Sequence, residues 1–294
     1  MFWSHNSLPK TNKRFLQHLC RKHIILSPTG FSSEEATDLQ EVKQFLNNYF
    51  RIHPDVIYNI PLKDLEQDFV LIVRDHIKLV GCIRYHYVGT IEEDIYLVDC
   101  FCIHPEWRGK GVGDYLLHDL HHRMVNKPYA IFLKEGGLLP AIPFYSSMYA
   151  YRFVKDKPTN NIIQIPIKNA YRLLEIYKKS RDFFMIARAT DNQYWRLYKN
   201  DIHSILACVQ DTYQTLNGKR MGWITAWIES PGITDTMRGD ASYQLSEVPG
   251  FDMIWIDWKW INNNNEWILD GEFHWYIYQW NSGISIDKSY CFIH

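Results

Sequence analysis

The segment that most constrains this chain is Phe101-Cys-Ile-His-Pro-Glu-Trp-Arg-Gly-Lys-Gly-Val-Gly113. An apolar, β-branched run from Ile95 to Ile103 leads into His104-Pro105. Arg108-Gly109-Lys110-Gly111-Val112-Gly113 follows, and a helical pattern starts at Asp114. The order reads as strand, tight turn, helix. Glycines let consecutive backbone N–H groups turn inward without a Cβ clash. Those groups and the start of a helix form a cradle for an anion such as a pyrophosphate. A phosphate-bearing cofactor is therefore expected at residues 108–113.

What the motif lacks narrows the cofactor. A P-loop needs Gly-x-x-x-x-Gly-Lys-Ser/Thr, and here Gly113 is followed by Asp114 and Tyr115. A dinucleotide-binding turn needs Gly-x-Gly-x-x-Gly, and the spacing here is Gly109-x-Gly111-x-Gly113. The segment resembles the acetyl-CoA loop of the GCN5-related N-acetyltransferases, the GNAT superfamily. Their Arg/Gln-x-x-Gly-x-Gly/Ala pattern is filled by Arg108, Gly111 and Gly113.

Composition bounds the rest. The chain has 294 residues, 46% hydrophobic and 22% charged, with a formal net charge of −1. Those values suit a globular protein and predict neither nucleic-acid nor membrane binding. No apolar run approaches a membrane span. Lys10, Lys13, Arg14, Arg21 and Lys22 precede the first acid, Glu34, so residues 1–29 read as a basic arm. Six cysteines form no Cys-x-x-Cys pair, and Cys100 and Cys102 sit within the apolar strand. Free thiols of this kind suggest a reducing compartment, the cytoplasm.

Along the chain, Ser33-Glu-Glu-Ala-Thr predicts a helix start, with Leu39, Val42, Phe45, Leu46 and Tyr49 at helical spacing. Phe69–Arg74 and Leu79–Val88 read as a hairpin. After the cradle come a helix to Val125, a strand over Tyr129–Lys134, a short helix over Ile142–Tyr151, and closing strands at Phe153-Val154 and Ile162–Ile167. This is the element order of the GNAT fold, and the resemblance covers residues 30–168. The expected class is α/β with a mixed sheet, the GNAT domain being followed over 169–294 by a smaller, antiparallel-rich α+β lobe. Nine of the tryptophans, from Trp195 onward, fall in that lobe. Asn217-Gly218 predicts one hairpin there, and Asn262-Asn-Asn-Asn265 a second. The order helix, hairpin, central strand at Phe251–Ile256 also allows a degenerate GNAT repeat, but no Arg-x-x-Gly-x-Gly recurs in it.

The resemblance implies a chemistry. Backbone N–H groups from Arg108 to Gly113 (Arg108, Gly109, Lys110, Gly111, Val112, Gly113) anchor the pyrophosphate. The main chain at Phe101, Cys102 and Ile103 pairs with the pantetheine arm, and an N–H near Phe101 or Cys102 polarises the thioester. A tyrosine protonates the departing thiolate. Tyr145 matches the family position and Tyr149 is its rival, because the Gly-Phe that should follow is absent. A carboxylate in an apolar strand needs a partner or a task, which makes Asp99 a candidate base, with Glu92, Glu93 and Asp94 as alternatives. His118, His121 and His122 read as a solvated helix face rather than a metal site.

The expected function is acetyl-CoA-dependent acetylation of a primary amine on a small molecule: an amino sugar, amino acid or polyamine. A protein N-terminus or lysine is the alternative acceptor, and a non-catalytic acyl-CoA-binding module the alternative class. The second lobe could serve to cap the acceptor site or form a homodimer contact.

Overall fold

The computed structural model describes residues 30–50, 55–90, 94–127, 129–137, 143, 145–157, 159–178, 191–261, 266–278 and 290–291. The basic arm, Glu92 and Glu93 lie outside them. The chain divides into two compact units. The first comprises residues 1–87, 92–144 and 275–283, and the second residues 88–91, 145–274 and 284–294. The boundary read at 168/169 rests on a resemblance rather than on spatial contact, and stays a proposal.

The first unit begins with strand β1 (Phe31–Glu35) and helix α1 (Leu39–Tyr49). β1 occupies the segment where Ser33 reads as a helix cap, so that expectation is corrected. The cap is Asp38, whose Oδ1 accepts from the Glu41 N–H at 3.0 Å. Val42, Phe45 and Leu46 form the buried stripe of α1. Then come β2 (Val56–Tyr58), the single turn α2 (Leu62–Leu65), and the hairpin β3 (Phe69–Asp75) with β4 (Lys78–Thr90). β5 (Asp94–Ile103) lies beside β4. A 3₁₀ turn (Pro105–Trp107) leads to α3 (Val112–Arg123), and β6 (Ala130–Glu135) returns parallel to β5. The strand order is β1-β3-β4-β5-β6, with the end of β13 (Ile268–Tyr278) beside β6. Leu116, Leu117 and Leu120 of α3 pack with Leu71, Ile83, Tyr85, Val98 and Phe132.

The second unit holds β7 (Tyr145–Phe153), β8 (Ile162–Gln164), α4 (Ile167–Lys178), β9 (Gln193–Asn200), β10 (His203–Leu216), β11 (Lys219–Glu229), α5 (Asp235–Ser246), β12 (Met253–Asp257) and β14 (Tyr290–Cys291). Its order is β7-β12-β11-β10-β9-β8, with β13 on the far side of β7. Asn217 (φ 51°) and Gly218 (φ 75°) supply the two left-handed residues that a type I′ turn requires between β10 and β11. That hairpin matches the sequence reading.

Two expectations fail here. Residues 145–151 form strand, not helix: Tyr149 to Phe153 pair antiparallel with Asp257 to Met253. The alternation of bulky aromatic residues suits a pleated strand more than a helix. The second hairpin fails among the described residues: its asparagines at 262–265 lie outside them, and its first arm, β12, has β7 on one side and β11 on the other. The element order of the first unit recurs in the second. Three consecutive strands, a helix and a parallel strand (β3-β4-β5-α3-β6) correspond to β9-β10-β11-α5-β12.

Candidate acyl-CoA site

The turn between β5 and α3 has the geometry its glycines allow. Gly109 (φ 73°) and Gly111 (φ 82°) are left-handed, and Gly111 caps α3. A Cβ added at either would meet nothing within 4 Å. The space over the turn is open, and the first amides of α3 face it without a capping side chain. Gly113 differs, because a Cβ there would lie 3.1 Å from the Phe101 ring. Arg108 braces the turn from below: its Nε donates to Ile103 O at 3.0 Å. The Lys110 ammonium lies over the Trp107 ring at 4.7 Å. Val112 is buried in the core.

The strand leading to the turn is irregular. β5 and β6 pair at Tyr96↔Ala130 and Leu97↔Ile131. Beyond Leu97, among the described residues, the β6-side edge of β5 has no ladder partner. Cys100 has φ 48°, a costly conformation for a residue with a side chain, and it marks a bulge. After it, Phe101 is 39% exposed while Cys100 and Cys102 are buried. Burial raises the thiol pKa of Cys102 to about 12. These cysteines are core groups, not nucleophiles. A strand edge without a ladder at Phe101, Cys102 and Ile103, its Ile103 carbonyl held by Arg108 Nε, lies next to an open glycine turn; there an extended polar chain can add as a strand while a diphosphate meets amides.

Asp99 precedes the bulge. Both of its carboxylate oxygens face the Arg84 guanidinium, with Arg84 Nε to Oδ1 at 2.7 Å and Nη2 to Oδ2. Arg84 also lies 3.6 Å from Asp68, and His86 lies between the two acids. Arg84 and His86 were missed in the sequence. Their signal was two polar residues on one period-two face of β4. Tyr145 belongs to the second unit, where its hydroxyl donates to the fully buried Asp257. Burial and that carboxylate push the phenol well above its ordinary value. Tyr149, in the same strand, is buried against Trp223 and Phe273.

Residues 66–148 match the family model of the acetyltransferase (GNAT) domain. The matched segment is similar to that domain. It spans β3 to the start of β7 and includes the glycine turn and the bulged strand. The fold is shared with Saccharomyces cerevisiae N-myristoyltransferase, whose structure with bound myristoyl-CoA aligns at TM-score 0.64 and 12% identity over 88% of this chain and 81% of that one. A second structure of the same enzyme, with myristoyl-CoA and inhibitors, aligns at 0.62 and 12% over 87% and 82%. At such identity the likeness is one of fold. No curated protein sequence matches the chain. Among the described residues, no helix is long and apolar enough to cross a membrane.

Proposed function

We propose that the chain transfers an acetyl group from acetyl-CoA to the primary amine of a small molecule, within a ternary complex. One observation carries this reading. The open, left-handed glycine turn at 109–111 adjoins a strand whose far edge is released at Leu97 and bulged at Cys100. The GNAT match over the same residues supports it. Amides from Arg108 to Gly113 would hold the diphosphate, and the main chain of Phe101, Cys102 and Ile103 the pantetheine. Bound acetyl-CoA supplies an activated acyl group. The protein aligns it and presents N–H groups near Phe101 and Cys102 to the carbonyl oxygen.

Asp99 and Tyr145 are the side chains proposed to handle protons. The pairing of Asp99 with Arg84 supports a role in presenting negative charge to a cationic acceptor. The direction of the Tyr145 hydroxyl toward Asp257 makes it the weaker of the two. Residues 30–168 are proposed as the transfer domain and 169–294 as an accessory lobe, in a cytoplasmic protein. A second reading, a longer acyl donor with a protein N-terminus as acceptor, is favoured by the extent of the N-myristoyltransferase likeness. Thiol release from acetyl-CoA and from myristoyl-CoA, across amino sugars, amino acids, polyamines and N-terminal peptides, decides between them. Acetyl-CoA consumption with small amines is expected. Consumption only of myristoyl-CoA with peptides, or binding of acyl-CoA without turnover, would replace the proposal.

A further inference from the structure

We infer that His86 is the proton acceptor of this site, taking the proton from the ammonium of the acceptor before it attacks. The inference rests on the acyltransferase reading above and adds a residue to it.

Alternation along β4 divides its side chains. Ile83 and Tyr85 enter the core under α3. Cys82, Arg84 and His86 point to the other face. There His86 is 8% exposed and stands between two carboxylates. Its Nδ1 is 3.5 Å from Asp68 Oδ2, and its Nε2 is 3.9 Å from Asp99 Oδ2. Nε2 is buried and makes no hydrogen bond. Buried polar atoms are nearly always paired, so an unpaired imidazole nitrogen beside a partly open carboxylate marks a place for a ligand donor.

The local charge points the same way. Asp68 and Asp99 place a carboxylate near each ring nitrogen, and the Arg84 guanidinium meets both acids. Tyr58 of β2 and the Cys100 thiol of β5 also face this group. Burial raises the pKa of both, so they stay neutral and add no charge. Carboxylates on both sides of the ring favour a cation in the cluster. An arriving ammonium supplies the cation. When its proton passes to His86 Nε2, the positive charge stays in the cluster and the nitrogen lone pair is freed. That pair forms the C–N bond as the thioester C–S bond breaks; the departing sulfur carries away the bonding electrons and takes up the second proton that the nitrogen sheds on becoming an amide. Asp99 has 24% of its side chain exposed and lies one residue before the bulge at Cys100. The transfer is therefore placed where β5 leaves β6. Asp68, against Nδ1, orients the ring.

The proton state of His86 can be read on the full chain without substrate, by nitrogen NMR of histidine-labelled protein, with His86→Gln assigning the signal. At about pH 8 a ring carrying its proton on Nδ1, against Asp68, is expected. A ring protonated on Nε2 at that pH overturns the proposal, because that nitrogen then has no lone pair to offer. The kinetic arm uses acetyl-CoA with the best alkyl amine of the panel and with aniline, which is neutral near pH 7. His86→Gln should lower kcat/KM for the alkyl amine about 10²-fold or more and change that for aniline less than about threefold. Equal losses, or none, would assign His86 a packing role. Failure of the unaltered chain to bind acetyl-CoA in calorimetry would remove the acyltransferase reading, whereas the tautomer is measured independently of it.

Discussion

The two units reach their parallel strand pair by the same route and finish it in opposite ways. In the first, β5 leaves β6 after Leu97 and runs into a glycine turn over open space. In the second, β11 pairs with β12 through Met221, Gly222 and Trp223. Farther along, Ala226 and Trp227 pair with Cys291 and Tyr290 of β14. The chain's own strand takes the edge that the first unit leaves free. The turn after β11 is closed as well. Thr234 caps α5 through its side chain, accepting from the Met237 N–H at 3.2 Å. Arg238 is locked on Glu229, with Nε to Oε1 at 2.6 Å. Gly232, left-handed at φ 85°, has the His203 ring 2.7 Å from where a Cβ would stand. One scaffold thus yields a receptive groove or a sealed structural element, depending on which backbone groups find partners inside the chain.

The most severe loss is expected in the sealed unit. Arg152 is 1% exposed and pairs with Glu247, Ser246 Oγ and the Tyr243 carbonyl. Arg152→Met leaves Glu247 buried without that partner and should cost about 3–5 kcal/mol in urea unfolding. A change below about 1 kcal/mol would mean that water reaches the pair.

Substitutions at one glycine in each turn should separate the units. Gly111→Val places a Cβ in the open cradle at φ 82° and should weaken acetyl-CoA binding tenfold or more, about 1.4 kcal/mol. Gly232→Ala should lower the melting temperature and leave that affinity unchanged. Equal effects of the two on binding would erase the distinction between groove and plug.

Tyr145→Phe removes one donor from Asp257 and should cost about 1–3 kcal/mol. Its pH dependence has a definite sign. The folded phenol holds its proton above the pH at which the unfolded one ionises. Its stabilising contribution is complete below about pH 10 and is lost as pH rises beyond that. The phenylalanine variant should therefore lose less stability above that pH than the parent chain. The smallest effect is expected at Lys78 and Glu106, an exposed pair at 3.3 Å, where Lys78→Ala should change stability by less than about 0.5 kcal/mol.

The sequence exposed the elements whose local chemistry agreed with their tertiary setting. β5, the turn and α3 are legible because strand, glycines and helix each carry their own signal, and Asn217-Gly218 can hardly be anything but a tight turn. Failures arose where one cue outweighed another. Ser33 reads as a cap only while Asp38 and Glu41, a stronger pairing five residues on, are overlooked. The family pattern suggested helix at Tyr145, against a run of tyrosines that prefers the sheet. The asparagines at 262–265 suggest a turn, but pairing partners are set by long-range contacts that no local window contains. The Asp68–Arg84–His86–Asp99 cluster needs three segments brought together, and the period-two spacing of Arg84 and His86 within one strand does not by itself point to it.

The central claim is that one unit, and one only, is built to take acyl-CoA through its backbone. Calorimetric titration of the full chain with acetyl-CoA tests it most directly, run in parallel on Gly111→Val. The account predicts saturable binding of a single equivalent, sharply weakened in the variant while its melting temperature shows that the fold is retained. An absence of binding, a second equivalent, or an affinity indifferent to residue 111 would contradict it.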